Sequence, residues 1–588
     1  MKQTSMPCIS TSVASLLGGA LSLLGVMAVV ACMLLPVHEG VALADVVLLG
    51  GSVALALLGM LAWRASGKPF CLTATDAVLG LWAAYVVLRA WSTPDVPCFP
   101  SLARALGLLS AYASLRLVMR SSRLALCLAE HAIMAYACLE CLLCLCQLCL
   151  GTSRHAAYPV TGTFQSPASC SAVFLVGTCL SVARLRQGQP WSGRCPWRTM
   201  LLPLATLLLC GVLLPVGWSR AAVLSGLCCL VALLWPRLSK GKRCLLVAGV
   251  LVALVVLYQC KRGSADGRVL FALVSMTAVG QHPVLGSGLA TFAHAYSQSL
   301  AALHTHLPAA LVSHASPLDF ALSDVARVAV EQGLVGLAFA LLSLVLVLRA
   351  LYRQSPRLAL VLAALSLMAC LSYPFQLLPF QLLYVLLAAC SAAPRGSQAA
   401  DVPNRLHPCG TAWAPLAVAA VAMALPALLL PRVLRYARAS RDSVLVVGRN
   451  DVRLLDTYER MLPCMRHDAR FMFRYGQLLA QAGRLNESNR VLWEGSRLST
   501  DGMFHVLRGH NYLRLHAPDL AVRAYRRAHA QCPARQYPLY CLMCLYRDAG
   551  QPQAAARVAR TLLAMPAGPT SPLARQITEE ARDCAGEQ

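Results

Sequence analysis

Arg220, Arg268, His314, Asp319 and Asp324 are the residues of this chain whose types could do chemistry together, each lying in a polar stretch or at the edge of one. An arginine fork grips two oxygens of an anion and stays charged at physiological pH. A carboxylate or imidazole within hydrogen-bond reach of a hydroxyl can take its proton. Arg220 ends Gly217-Trp218-Ser219-Arg220 and opens an apolar run. Arg268 follows Gly267 near the start of the longest polar stretch, 261–324, which closes with Asp319-Phe320-Ala321-Leu322-Ser323-Asp324. Within it, Gln281-His282-Pro283-Val284-Leu285-Gly286-Ser287-Gly288-Leu289 combines a turn signal with Gly286 and Gly288, which permit close backbone approach. Glu140 lies inside an apolar run, where a carboxylate is costly unless paired or facing a cavity. Plainer readings stand beside these. Arg220 is also what an interfacial arginine snorkelling from a helix end looks like, Arg268 a solvated loop charge, and Ser323 or Asp324 a helix N-cap.

The elements that must position these residues are apolar. The chain has 588 residues, 58% hydrophobic and 13% charged, too little charge to cover the surface of a soluble protein of this length. Runs long enough to cross a bilayer recur about thirteen times, near 11–35, 42–63, 73–91, 102–118, 124–150, 168–182, 200–216, 221–235, 244–258, 333–350, 358–371, 375–389 and 412–430. The first is longer than a signal-peptide core and lacks a clean cleavage site, so a retained helix is expected. The expected fold is all-α: a polytopic membrane helix bundle of about thirteen segments over 1–432, a helical linker over 433–468, helical repeats over 469–568 and a tail over 569–588.

Loop charge orients the bundle. Arg64 and Lys68, Arg120 and Arg123, then Arg184, Arg186, Arg194 and Arg198 occupy alternate loops. Arg237, Lys240, Lys242 and Arg243 follow, then Arg353 and Arg357. The positive-inside rule puts these loops in the cytoplasm and the stretches 38–40, 92–101, 151–166, 217–220 and 261–324 on the periplasmic side of a bacterial inner membrane. The hairpin 358–389 contains Pro374 and Pro379. If it crosses twice, the tail is periplasmic; if it is re-entrant, the tail is cytoplasmic. Arg432, Arg435, Arg438 and Arg441 favour the cytoplasm, but long domains translocate largely regardless of charge, and a periplasmic tail is expected. The same placement explains the net charge of +26 without nucleic acid.

Most of the 26 cysteines lie in apolar runs, five of them (Cys138, Cys141, Cys144, Cys146 and Cys149) in one segment. No zinc-finger ligand spacing accompanies them, so small apolar filler is the expectation, as is core packing for Cys541 and Cys544. In the tail, Gly476, Gly509 and Met543 head units about 33–34 residues apart, the tetratricopeptide period. Gly509, Tyr512, Ala521, Tyr525, Ala528 and Pro533 give the fullest unit, and Tyr546, Gly550 and Ala555 recur in the next. Such repeats offer a concave surface to a protein partner, or cap the membrane domain.

Taken in order, Gly162-Thr163-Phe164-Gln165-Ser166-Pro167, Ser219-Arg220, Gly267-Arg268, His282-Pro283-Val284-Leu285-Gly286-Ser287-Gly288 with Phe292 and Tyr296, and Glu331-Gln332-Gly333 resemble the O-antigen ligase superfamily. That superfamily includes O-antigen polymerases and protein O-oligosaccharyltransferases, and one subgroup carries tetratricopeptide repeats after the membrane domain. The resemblance implies transfer of a glycan from undecaprenyl diphosphate to a hydroxyl of lipid A-core, of a growing glycan or of a protein. It also implies Arg220 and Arg268 as the grip on the diphosphate, since no carboxylate cluster suits Mg²⁺. No cofactor and no metal are implied. Leu322 stands where many members have a histidine, so the base is open among Asp324, Asp319 and His314, with Gly286, Gly288 and Glu140 in support. A transporter of lipid-linked glycan and a non-catalytic scaffold are the readings of another class.

Overall fold

The computed structural model describes residues 20, 23–34, 43–66, 70, 72–93, 97–119, 122–153, 158–164, 166–187, 196–217, 219–237, 239–260, 262–318, 320–392, 413–447, 449, 451–565 and 572–586. Lys68, Arg120, Gln165, Arg194, Trp218, Lys261 and Asp319 lie outside the described residues, as does the loop 38–40.

Among the described residues the chain is helical throughout, without a strand. Five helices are long and apolar enough to cross a membrane: Ala44–Leu61, Leu126–Leu150, Pro167–Arg186, Asp324–Gln354 and Trp413–Val447. Shorter apolar helices are Leu23–Met33, Met200–Val216, Arg220–Leu234, Pro356–Leu371 and Leu378–Ser391. Several of the apolar runs read from the sequence therefore fold as helices shorter than a full bilayer crossing. Arg220–Leu234 has 15 residues and rises about 22 Å, against a hydrocarbon core of about 30 Å.

The helices that matter below are α1 (Leu23–Met33), α2 (Leu43–Ser66), α3 (Ala74–Ser92), α4 (Phe99–Val118), α5 (Ser122–Leu150), α6 (Pro167–Gln187), α7 (Pro196–Val216), α8 (Arg220–Leu234), α9 (Lys240–Cys260), α10 (Arg262–Gln281), α11 (Phe292–Leu303), α12 (Ala309–Val312), α13 (Asp324–Gln354), α14 (Pro356–Leu371), α15 (Leu378–Ser391) and α16 (Trp413–Val447). Start signals in the sequence set several of their ends. Thr73 and Asp76 form a capping box at α3, Ser323 caps α13, and Ser355 with Pro356 starts α14. Gly333 interrupts α13 with φ 65 and ψ −165, so the part before it is a separate short helix.

The hairpin α14–α15 forms the middle of the bundle, and Leu362, Ala364, Leu365, Leu387, Ala388 and Cys390 are fully buried. Both ends of the hairpin are tied to α13. The Asp324 amide donates to Ser372 O at 3.2 Å, and Gln354 Nε2 donates to Ser391 O at 2.7 Å. The hairpin thus leaves one end of α13, reaches the other and returns.

At the Gln354 end, buried Glu130 of α5 pairs with Arg184 of α6 and with Arg357 of α14 at 3.1 Å, and accepts from Ser355 Oγ at 3.0 Å. One carboxylate therefore joins three helices at the face that carries the basic loops. Glu130→Ala would strand two arginines, and a loss of roughly 3 kcal/mol is expected, read as a lowered Tm of the protein in detergent.

Past α16 the chain folds into short helices that pack each on the next: α17 (Leu455–Met465), α18 (Ala469–Gln481), α19 (Leu485–Ser496), α20 (Met503–Arg514), α21 (Pro518–Gln531), α22 (Tyr537–Asp548), α23 (Pro552–Leu563) and α24 (Pro572–Ala585). Gly476 and Gly509 sit where helix pairs touch. A Cβ at Gly476 would come within 2.5 Å of Leu492, and one at Gly509 within 2.3 Å of the Tyr525 ring. This tail docks on the 262–324 segment. The Leu318 amide donates to Thr500 Oγ1 at 2.6 Å, the Thr500 hydroxyl donates to Leu318 O at 3.2 Å, and the His304 and His529 rings meet edge to face at 6.1 Å. Tail and segment therefore share one side of the bundle.

Burial pushes His467 of the tail down to about 4, His505 to about 3 and His529 to about 4. The unfolded chain takes up protons near pH 6.5 that the folded tail refuses, so stability is full above that value and falls as the pH drops toward about 4. A melting series from pH 7.5 to pH 4.5 should show a falling Tm, and a flat series would contradict the burial of these rings.

Candidate functional site

The α8–α9 hairpin decides where the two arginines meet. Helix α8 begins at Arg220 behind the N-cap Ser219, α9 packs back along it, and α10 begins at Arg262. The first turns of α8 and α10 therefore lie at the same end. Arg220 Nη2 donates to Ser264 Oγ at 2.8 Å. Arg268 stands one turn beyond Ser264 on the same face of α10. Burial, and then the Arg220 charge, push the Arg268 guanidinium below its ordinary value; nearby Tyr373 acts in the opposite direction. No carboxylate among the described residues forms an ion pair with Arg268. Two guanidiniums within electrostatic reach of each other can bind a doubly charged anion.

The same turns of α10 carry a second pair. Asp266 Oδ2 lies 3.9 Å from His314 Nε2. His314 rests on the glycine face of α10, where a Cβ at Gly263 would come within 3.1 Å of its ring. Both side chains are partly open, 34% for His314 and 26% for Asp266. A half-open imidazole with a carboxylate at one nitrogen can take a proton from a hydroxyl at the other.

Asp324 adjoins this group through Tyr373. Its carboxylate accepts from the Phe375 amide at 2.8 Å and from Gln376 Nε2 at 3.2 Å, which fixes the turn Pro374–Gln376 between α14 and α15. Gln376 Nε2 also donates to Ala321 O at 2.9 Å, and Phe320 stacks on Tyr373 at 5.3 Å with 4° between the rings. Asp324 is buried, and what it does here is hold the turn that presents Tyr373 to Arg268.

Gly286, Gly288 and Glu140 answer to other partners. The backbone that the two glycines approach is that of α13. Ser287 N donates to Val330 O at 2.8 Å, Gly288 N to Glu331 O at 2.9 Å and Leu334 N to Pro283 O at 2.9 Å. Gly286 (φ 72) and Gly333 (φ 65) face each other, and a Cβ on Gly286 would come within 2.5 Å of the Glu331 carbonyl. From α3, Tyr85 OH donates to Gln332 O at 2.7 Å and Arg89 Nη2 to Gly286 O at 2.9 Å. The loop thus splints the break in α13. Gly286→Ala would combine left-handed strain with a backbone clash, and a cost of about 2 kcal/mol or more is expected, read as a drop in Tm.

Glu140 is fully buried. Its Oε1 accepts from the Thr163 amide at 2.6 Å and the Thr163 hydroxyl at 3.1 Å, while Gln147 Oε1 accepts from the Thr161 and Gly162 amides at 3.0 and 2.8 Å. Phe164 then stacks on Phe380 of α15 at 5.8 Å. These bonds pin the Gly162-Thr163-Phe164 segment to the bundle. Glu140, Cys144 and Cys170 bring ligand atoms within 4.8 Å of one another, the one such grouping among the described residues. The Glu140 oxygen that faces Thr163 is occupied by two donors, and the two thiols lie 3.3 Å apart in a buried contact between α5 and α6.

Of the residues expected from sequence, the structure therefore groups Arg220, Arg268 and His314 around α10, with Asp324 behind Tyr373. Ser264, Asp266 and Tyr373 escaped the sequence reading. Asp266 had one local signal, its place two residues before Arg268 on a short helix. Tyr373 had none, because the turn that carries it lies more than a hundred residues away in sequence.

No family model matches the chain, and no curated protein matches it.

Proposed function

We propose that the chain is an O-antigen ligase-like glycosyltransferase. In this reading it moves a glycan from undecaprenyl diphosphate to an acceptor hydroxyl at the periplasmic face of a bacterial inner membrane. The observation that carries this is the meeting of Arg220 and Arg268 beside the His314–Asp266 pair. The donor diphosphate sits on the two guanidiniums. As the acceptor oxygen bonds to the anomeric carbon, the bond from that carbon to the diphosphate breaks. The developing charge stays on the diphosphate, where each arginine fork stabilises it. His314 removes the acceptor proton, and Asp266 orients the ring and supports its charged form. No metal enters this account.

Lipid A-core is the acceptor this reading favours, with a growing glycan or a protein hydroxyl as alternatives that share the donor chemistry. The tail is read as tetratricopeptide-like repeats: Gly476 and Gly509 recur 33 residues apart, each at the tight crossing of a helix pair. A periplasmic tail is supported by its docking on the 262–324 segment and by the basic loops at the opposite end of the bundle.

Purified full-length protein, given a lipid-linked glycan donor and lipid A-core, is expected to join the two without added divalent metal. A strain lacking the protein should accumulate unattached lipid-linked glycan. Single-repeat surface chains in that strain would point to polymerisation, and loss of glycan from proteins to protein glycosylation. Unaltered surface glycans, together with no transfer in vitro, would remove the proposal.

A further inference from the structure

Where α11 meets the tail, a second set of cations gathers away from Arg220 and Arg268. Trp493 of α19 carries Arg508 on α20 and Arg527 on α21, each guanidinium 5.1 Å from its ring. Arg508 reaches the Tyr512 hydroxyl at 3.1 Å and lies 3.4 Å from His505 Nδ1. His505 is buried, 1% exposed, and its Nε2 has no partner. His294 of α11 feels the charges of Arg497 and Arg527, and His505 feels those of Arg508 and Arg527 and lies close to His294. No carboxylate among the described residues forms an ion pair with Arg497, Arg508 or Arg527.

Elsewhere in the tail some arginines find carboxylates: Arg466 with Glu494, Arg484 with Glu459 and Glu487, Arg535 with Asp501. At Trp493 the cations are instead drawn onto one aromatic ring. Three guanidiniums without a counter-charge repel one another, and a bound anion removes that cost. The cluster is also reachable: Arg527 and Trp493 are exposed, while Arg497, Arg508 and His294 are half-buried around the sealed ring of His505.

We propose that this seam is a binding site for a phosphate-class oxyanion, held by Arg508 and Arg527 with His505 and His294 as further donors and Arg497 at the rim. Because His294 belongs to α11 and the rest to the tail, the anion ties the tail to the segment that carries His314. The proposal rests on its own residues and stands whether or not the chain transfers glycans. The oxyanion is free phosphate or the phosphate of a lipid headgroup, and the experiment tells these apart.

The test is thermal unfolding of the full-length protein in detergent, titrated with inorganic phosphate at constant ionic strength, with chloride as the reference. A saturable rise in Tm is expected, and Arg508→Gln with Arg527→Gln should weaken the apparent affinity at least tenfold. Arg527→Gln alone, at an exposed position, carries the comparison if the double variant does not fold. A second arm places the protein in nanodiscs with or without phosphatidylglycerol. A rise seen only with that lipid, and lost in the variants, assigns the oxyanion to a headgroup. No saturable rise in either arm, or an equal rise in the variants, overturns the site.

Discussion

Arg268→Ala is expected to lower glycan transfer by about two to three orders of magnitude, the scale of losing one preorganised donor to developing charge. Arg220→Ala should fall in the same range. The chemistry behind both is the same: diphosphate leaves only if its charge is met, and Arg220 donates to Ser264 one helical turn before Arg268, which feels the Arg220 charge. Arg268→Lys tests the fork. A lysine keeps the charge and loses the planar two-point grip, so most of the loss should remain. The drop should appear in kcat as well as in KM, because the interaction strengthens as the bond breaks. Helix content and Tm should change little, since among the described residues Arg268 forms no ion pair whose removal would strand a charge. Wild-type transfer by either alanine variant would contradict the assignment.

The second large effect is expected at His314. Replacing the base by His314→Asn should cost about two to three orders of magnitude in kcat, within the usual reach of general-base catalysis. Transfer at the wild-type rate by this variant would remove the role. Asp266→Asn keeps the shape and removes the charge 3.9 Å from Nε2, so a smaller loss in kcat is expected. Asp324→Asn is the contrast. Its carboxylate holds the Phe375 amide and Gln376, so its loss should loosen the turn that carries Tyr373 and act on Tm and KM more than on kcat. If Asp324→Asn lowers kcat by that amount and His314→Asn does not, the roles of these two residues are reversed.

The helical, membrane-type character of the chain was legible because apolar run length is written directly in the sequence. The number of segments was not. The break at Gly333 needs the His282–Gly288 loop as a splint, and that loop pairs with α13 only after folding. Helices such as α8 and α15 have 15 and 14 residues, close to the runs 221–235 and 375–389, and a run of that length does not say whether its helix crosses. The glycines at 286 and 288 were legible as positions of close backbone approach, but the sequence could not say that the approaching backbone is Glu331–Gly333 rather than a ligand. Likewise Glu140 was legible as a residue in need of a partner, and only tertiary packing supplies Thr163. The neighbourhood of Arg220 and Arg268 depends on a helical hairpin returning to its starting side, which loop charge anticipates. The Asp266–His314 contact spans 48 residues of chain and two further helices, and nothing local announces it.

The measurement that bears most directly on the two-arginine grip is a double-mutant cycle on binding of undecaprenyl diphosphate to the purified full-length protein, with Arg220→Ala, Arg268→Ala and both together. Two guanidiniums on one diphosphate must be coupled, so the double variant is expected to bind little worse than either single variant, a non-additivity of roughly 1 kcal/mol or more. Losses that simply add would place the two arginines on separate ligands, and unchanged affinity in all three variants would leave the lipid with no grip at this site.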